Sequence, residues 1–299
     1  MRYQTALMPV RRHRAGKPRR ERDYRKIGPS RATRNLHAAA RAGMHGGAAA
    51  AEGTNMTRRG ILTALFLVAL CGAVVCWEIL APALAVGFRP DWADSEMPLY
   101  IVDKLGFAIA LALFLSARRL WRRCGFAGGV PPQGLGLLWP LWLLAGISAL
   151  NGVGVADGTG LLGCLAIAAG VGFGEEGMFR GLAIDIVGLD RPRRAVALSA
   201  LLFGLLHLIG LLAPVDYRYV LAEAVVAGCL GLVLGAVRLL CGSIWPGILG
   251  HTALDFFGLA AAGGVSAAME FSIGTLAGML AGAALALGWG ALLWRRLPV

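Results

Sequence analysis

Eight apolar segments, each about 20 residues long, constrain the fold of this chain more than any other feature. A helix of that length crosses the hydrocarbon core of a bilayer, which is about 30 Å thick. Helices and closed barrels are the structures that satisfy their backbone polar groups within lipid, and continuous apolar runs of this length favour helices. We therefore predict an all-α, polytopic transmembrane helix bundle with eight spans. The predicted spans lie near residues 61–82, 98–117, 135–151, 159–183, 195–213, 219–240, 244–262 and 271–294.

The composition of the chain supports this class and excludes others. Hydrophobic residues make up 57% of the chain and charged residues 15%, against about 25% charged in soluble domains. The net charge of +12 comes mostly from residues 1–55, which hold 13 basic residues against three acidic ones. That segment has no apolar periodicity and cannot bury enough surface to fold. We predict a basic, disordered leader at 1–55 and a transmembrane helical domain at 56–299, and we expect no nucleic-acid partner.

The leader allows three interpretations. Its charge could bind RNA or anionic lipid headgroups, or it could be an organellar transit peptide. We prefer the third, that translation begins at Met56, because this residue and two arginines stand directly before the first apolar segment. That segment could also be a cleaved signal ending near residues 83–85, but its length and Glu78 favour a retained span.

Basic residues in the loops predict the orientation of the bundle. They cluster at Arg58–Arg59, Arg118–Arg123, Arg191–Arg194 and Arg295–Arg296, whereas the intervening loops are acidic or nearly neutral. Because cytoplasmic loops carry an excess of Lys and Arg, we predict that both termini are cytoplasmic. The Ala-, Gly-, Arg- and Leu-rich composition is typical of a GC-rich bacterial genome, so we expect a multi-pass protein of the bacterial inner (plasma) membrane.

Polar residues inside three predicted spans are the candidates for chemistry, because a charge at mid-bilayer costs ~2.5–3.5 kcal/mol and usually marks function. They form the patterns EEGMFR at 175–180, FGLLH at 203–207 and HTALD at 251–255. Glu176 and Arg180 are separated by four residues and can contact each other on a helix, and so can His251 and Asp255. At a rise of 1.5 Å per residue, Glu175 lies about 15 Å, His251 about 11 Å and His207 about 18 Å from the ends of their spans on the same side of the membrane. We predict one shared site.

Five further charged residues have a simpler explanation. Each lies within a turn or two of a predicted outer end, where it can reach the interface or pair with a neighbour. We predict a structural role for Glu78, Asp103, Lys104, Glu223 and Glu270.

The three patterns together resemble the CPBP family of intramembrane proteases, which includes type II CAAX prenyl endopeptidases, bacteriocin-processing proteins and abortive-infection proteins. The family pattern is E-E-x-x-x-R, then F-x-x-x-H, then H-x-x-x-N/D on successive core helices, and all three occur in order within residues 159–262. The resemblance implies an eight-helix bundle with a cavity open to the cytoplasm. It also implies an endopeptidase that hydrolyses peptide bonds of membrane-associated or C-terminal-tail substrates.

The resemblance also implies residue roles. Glu175 would be the general base, and His207 would help to orient or activate the water. His251 and Asp255 would stabilise the oxyanion. The implied supporting residues are Glu176, Arg180 and Phe203.

Asp255 leaves the mechanism open, because an ionised aspartate would repel an oxyanion. It is either protonated, or it orients His251, or the site binds a metal. Glu175, His207, His251 and Asp255 are acceptable zinc ligands, although their spacing matches no H-E-x-x-H motif. We prefer a glutamic protease without a cofactor and keep a zinc-dependent version as the alternative.

Two other classes of function stay open. Buried Glu and His residues also build the proton relays of proton-coupled transporters, and the glycine-rich helix at 228–237 could be a rocking element or a tight-packing one. No inverted repeat is apparent in the hydropathy. A non-catalytic immunity or scaffold protein would keep the fold without turnover. The expected partners are membrane lipid and a peptide or protein substrate, whose identity the sequence leaves undetermined.

Overall fold

The computed structural model describes residues 48–89, 96–155 and 157–298, with side chains from residue 60 onward. By its contacts the chain divides into two units, Met1–Arg59 and Gly60–Val299. The predicted leader falls mainly on residues 1–47, which lie outside the described residues, so it stays a prediction. Residues 48–55 form the start of the first helix.

Most of the described residues are helical and none of them forms a strand, so the predicted fold class is confirmed. A π-helix, Glu176–Ala183, joins the helix Gly158–Glu175 to the helix Ile184–Val187 without a break, and short 3₁₀ turns lie at Phe126–Gly128 and Leu208–Leu212. The α-helices are α1 (Ala48–Phe88), α2 (Glu96–Arg118), α3 (Pro132–Leu137), α4 (Trp139–Leu150), α5 (Gly158–Glu175), α6 (Ile184–Val187), α7 (Pro192–His207), α8 (Tyr217–Cys241), α9 (Trp245–Ala262), α10 (Val265–Ala268) and α11 (Ile273–Arg295).

Six stretches of the described chain are long and apolar enough to span a membrane, against the eight predicted. The predicted third span is divided into α3 and α4 at Leu138, because Pro140 lacks the N–H that would continue a helix through this point. The predicted seventh span coincides with α9, whose His251 and Asp255 lower its hydropathy. The number of spans and the orientation stay predictions. The six stretches are Gly60–Phe88, Glu96–Arg118, Gly158–Val187, Pro192–Leu212, Tyr217–Cys241 and Ile273–Arg295.

Helix α8 is the most buried of these six stretches and lies at the centre of the main hydrophobic cluster. It packs against α7 and α11, while α5 packs against α2 and α9. In the glycine-rich part of α8, Gly231 and Gly235 face Ala200 and Val196 of α7 at close range. This contact favours tight packing as the role of these glycines.

Two glycines allow the helices that carry the site to approach closely. A Cβ at Gly172 on α5 would lie 3.0 Å from the Ile248 carbonyl oxygen on α9. A Cβ at Gly204 on α7 would lie 2.7 Å from the Ala224 carbonyl oxygen on α8. Side chains one turn away at each crossing are therefore brought together.

The start of α5 is fixed by a side-chain cap. The Asp157 carboxylate accepts hydrogen bonds from the Gly160 N–H and the Thr159 hydroxyl, each at 2.7 Å. The bond from Gly160 holds the pKa of Asp157 below its ordinary value.

Candidate active site

Two adjacent glutamates, the last residue of α5 and the first of the π-helix, lie beside one imidazole. In an α-helix neighbouring side chains point about 100° apart, whereas π-helical segments shift the side chains that follow and often occur at functional sites. Here Glu176 Oε1 lies 3.0 Å from His251 Nδ1, and Glu175 Oε2 lies 3.7 Å from His251 Nε2. The acids of α5 and the π-helix thus flank both nitrogens of a histidine on α9.

One half of the site is buried and fixed. The side chains of Glu176 and Arg180 are 1% and 0% exposed, and their ion pair measures 3.2 Å. The Arg180 guanidinium also lies 4.0 Å from the centroid of the Phe203 ring, a favourable cation–π distance. Because Glu176 accepts the hydrogen bond at His251 Nδ1, this half holds the imidazole in place.

The other half is partly exposed. Asp255 Oδ2 lies 3.6 Å from His251 Nε2, and the Glu175 and Asp255 side chains are 25% and 27% exposed. Glu175 Oε2 is buried and has no hydrogen-bond partner within the described chain. At 3.6 Å Asp255 is beyond hydrogen-bond distance, so Glu176 is the residue that orients His251.

His207 joins the cluster through Phe203. The His207 Nδ1–H donates to the Phe203 carbonyl oxygen at 2.8 Å, which leaves Nε2 of the neutral ring as an acceptor. The Phe203 ring contacts both imidazoles edge-on, with centroids 4.7 Å from His207 and 6.0 Å from His251. Phe203 therefore sets the spacing of the two histidines.

The structure thus brings all seven residues of the three sequence patterns into one cluster, while their chemical roles stay predictions. It also adds Glu223 of α8, for which the sequence predicts a structural role. The Glu223 carboxylate interacts with the Tyr219 hydroxyl and is close enough to His207, Glu175 and Asp255 to interact with their charges. The Gly204–Ala224 crossing of α7 and α8 produces this proximity. The one signal in the sequence that could have indicated a contact of Glu223 is its i, i+4 spacing from Tyr219.

Glu78, Asp103 and Lys104, which are also predicted as structural, form an ion-pair network. Lys104 Nζ lies 2.7 Å from both Glu78 carboxylate oxygens and 2.8 Å from Asp103 Oδ2. Three acceptors around one ammonium explain how these charges are accommodated between α1 and α2.

A metal site is not preassembled within the described residues, where no group of three or more His, Cys, Asp or Glu side chains is arranged to hold an ion. His251 Nδ1 and Glu176 are already engaged with each other, and His207 Nδ1 is engaged with the backbone. We therefore derive no step through zinc.

Residues 157–257 match the family model described as type II CAAX prenyl endopeptidase Rce1-like. This segment is similar to the Rce1-like family. The match confirms the resemblance predicted from the three patterns, and it covers about a third of the chain and almost all of the predicted core at 159–262. Neither a curated protein nor a solved structure gives a significant match.

The Rce1-like segment contains every residue of the cluster, from Glu175 on α5 to Asp255 on α9. Together with the apolar helices, it supports an integral, multi-pass membrane protein and suggests an intramembrane endopeptidase of the CAAX type. This family similarity favours a protease over the transporter and scaffold alternatives.

Proposed function

We propose that this chain is a glutamic intramembrane endopeptidase that hydrolyses a peptide bond with a water activated by Glu175. One observation carries the proposal: the unpartnered Glu175 Oε2 lies 3.7 Å from His251 Nε2, while His251 Nδ1 is held by a buried glutamate. A free carboxylate oxygen beside an oriented imidazole supports the roles of general base and hydrogen-bond donor proposed for these two residues. Peptide hydrolysis needs these two groups on either side of the scissile carbonyl.

The reaction follows from these positions. Glu175 takes a proton from water, and the resulting hydroxide attacks the carbonyl carbon. The Glu175 and Glu176 carboxylates on either side of His251 favour its doubly protonated ring, which donates from Nε2 to the developing oxyanion. Glu175 then passes its proton to the leaving amine as the C–N bond breaks. A general base contributes typically 10²–10⁴-fold to such a reaction, and one oxyanion donor about 10²–10³-fold.

The remaining polar residues position these groups. The free Nε2 of His207 would accept a hydrogen bond from the attacking water, and the Glu223 carboxylate on α8 would act on His207 through its charge. Asp255 would be protonated in the active form, since an ionised carboxylate 3.6 Å from His251 Nε2 would oppose the oxyanion.

The test compares Glu175→Gln with wild type in proteoliposomes, using a farnesylated CAAX peptide and its unprenylated counterpart as probes. We expect Glu175→Gln to lose at least about 10²-fold in activity while it accumulates normally in the membrane. Glu270→Gln is the matched control, because it removes the same charge from a loop outside the cluster. Comparison of the membrane peptidomes of cells with the wild-type and Glu175→Gln proteins would identify natural substrates. Full activity of Glu175→Gln would reject the assigned base.

A zinc-dependent mechanism would use the same residues, and a second measurement distinguishes it from the glutamic mechanism. In that version Glu175, His207, His251 and Asp255 would be the ligands, and zinc would supply an activated water. The glutamic mechanism predicts full activity after exhaustive chelation and no stoichiometric metal in elemental analysis. Loss of activity that added zinc restores would reject it.

A further inference from the structure

A second cavity lies at the end of α2, apart from the candidate active site. Its volume is about 380 Å³, and α1, α2, the segment after α2, and the end of the π-helix with α6 form its walls. The apolar part includes Phe66 and Phe114, and the polar part is basic, with Arg118, Arg119 and Arg123. Apolar and cationic walls meet where a candidate membrane span ends.

The charges of this cavity are not balanced. Asp185 is the one acidic residue in the wall, and it pairs with Arg123 through two contacts of 3.1 Å. Arg118 and Arg119 are exposed, and neither side chain has a hydrogen bond or ion pair to any residue that the structure describes. Two positive charges therefore face the cavity without a protein partner.

Arg119 also occupies an unfavourable backbone conformation. Its φ is 56°, and it is the one non-glycine residue with positive φ among the described residues. The Leu120 N–H donates to the Leu115 carbonyl oxygen and the Arg119 N–H to that of Ser116, a pattern that closes α2 and usually has glycine at this position. A non-glycine residue here costs about 1–3 kcal/mol. Backbone strain of this kind often occurs at functional sites, which points to a functional role for the Arg119 side chain.

We propose that this cavity binds an anionic phospholipid, with Arg118 and Arg119 on the headgroup phosphate and Phe66 and Phe114 against the first part of an acyl chain. Basic pockets between helices at the membrane surface suit such headgroups. The two unpaired arginines favour a lipid with net negative charge over a zwitterionic one. This site is independent of the proposed proteolysis, because none of its lining residues belongs to the cluster around His251.

The test measures lipid retention by native mass spectrometry on the full chain in detergent. The probes are phosphatidylglycerol and phosphatidylcholine with identical acyl chains, and the variants are Arg119→Gly and Arg296→Gln. Arg119→Gly relieves the backbone strain, so its melting temperature should equal or exceed that of wild type. Arg296→Gln is the matched control, because it removes an exposed arginine beside Arg295, away from the cavity.

We expect one phosphatidylglycerol to bind in preference to phosphatidylcholine, and Arg119→Gly to weaken its binding about fivefold, as removal of about 1 kcal/mol per arginine predicts. Arg296→Gln should bind as wild type, and millimolar inorganic phosphate should not compete. The proposal is wrong if the two lipids bind equally, if Arg119→Gly retains full affinity, or if Arg296→Gln loses as much. Competition by inorganic phosphate would also overturn it and indicate a free-anion site. Each readout is lipid binding, so the result does not depend on peptidase activity.

Discussion

His251 separates the candidate site into two halves with different electrostatics. On the Nδ1 side, the charge of Glu176 is balanced by Arg180, and both side chains are excluded from water. On the Nε2 side, Glu175 and Asp255 are a quarter exposed and have no arginine or lysine within ion-pair distance in the described chain. A neutral, buried pair holds geometry, whereas partly exposed carboxylates can exchange protons with water. The first half therefore suits a positioning role and the second half the chemistry.

At this scale we predict that Arg180→Met destabilises the protein. The substitution removes the arginine partner of the buried Glu176 and leaves His251 as its one remaining partner among the described residues, and breaking a buried pair costs about 3–5 kcal/mol. We expect lower abundance in the membrane, a lower melting temperature in detergent and loss of cleavage. The double variant Arg180→Met with Glu176→Gln should recover most of the stability but not the activity, since a neutral amide replaces the carboxylate at His251. Equal melting temperatures of Arg180→Met and wild type would show that the pair is not structural.

The sequence predicted the contacts within single helices better than those between helices. The i, i+4 spacing predicted the Glu176–Arg180 pair and placed Asp255 near His251. The resemblance, however, implied only a supporting role for Glu176, and the sequence did not predict its hydrogen bond with His251. The proximity of both glutamates to His251 depends on the packing of α5 against α9, which a local pattern does not show. The proximity of Glu223 to His207 depends in the same way on the crossing of α7 and α8.

Among the elements, the contact of α5 with α9 determines whether the two halves of the site meet. Gly172 lies one turn before Glu176, and its missing side chain lets the backbones touch at Ile248, one turn before His251. A methyl group at Gly172 would overlap the Thr252 hydroxyl and crowd the α9 backbone, so the Thr252 side chain and the helix must shift. The distance of 3.0 Å between Glu176 and His251 would then increase.

We therefore predict that Gly172→Ala destabilises the protein by about 1–3 kcal/mol, the usual cost of overpacking, and reduces cleavage. The control is Gly258→Ala on α9, where a Cβ would meet nothing within 4 Å. Because alanine is the better helix former, this control should be neutral or more stable by up to about 1 kcal/mol. Melting temperature and cleavage rate of both variants check the prediction. Identical behaviour of the two would mean that the α5–α9 contact tolerates a methyl group.

Most predicted spans coincide with observed helices, and the exceptions have local causes. Hydropathy over 20 residues located α2, α8, α11 and the continuous helical stretches Gly158–Val187 and Pro192–Leu212 to within a few residues. It could not show that the segment at 135–151 divides at Leu138, because apolar residues continue across the break. In α9, His251 and Asp255 are the candidate catalytic residues, and they also lower the hydropathy of the helix below that of a simple membrane span.

For the whole molecule, the contacts sort the loops into two groups. Arg123 pairs with Asp185, and Arg193 donates to the carbonyl oxygens of Arg295 and Leu297, so loops predicted to be cytoplasmic contact each other. At the opposite helix ends, the Gly154 N–H donates to the Ala260 carbonyl oxygen, and the Ser266 hydroxyl and N–H donate to Glu96. The alternation of basic and neutral loops in the sequence thus corresponds to two ends of one bundle.

Which end faces the cytoplasm decides which substrates reach the site. The basic end should face the cytoplasm, because Lys and Arg are retained on that side. We predict that in a variant with all six cysteines replaced by alanine, Asn151→Cys reacts with a membrane-impermeant maleimide in intact cells, whereas Arg296→Cys reacts only after the membrane is disrupted. Both positions are exposed, so differences in labelling report the side of the membrane rather than burial. The reverse pattern would place the basic end outside the cell. Proteins with cytoplasmic C-terminal tails would then be unable to enter from that end, and the substrate search would move to the extracytoplasmic side.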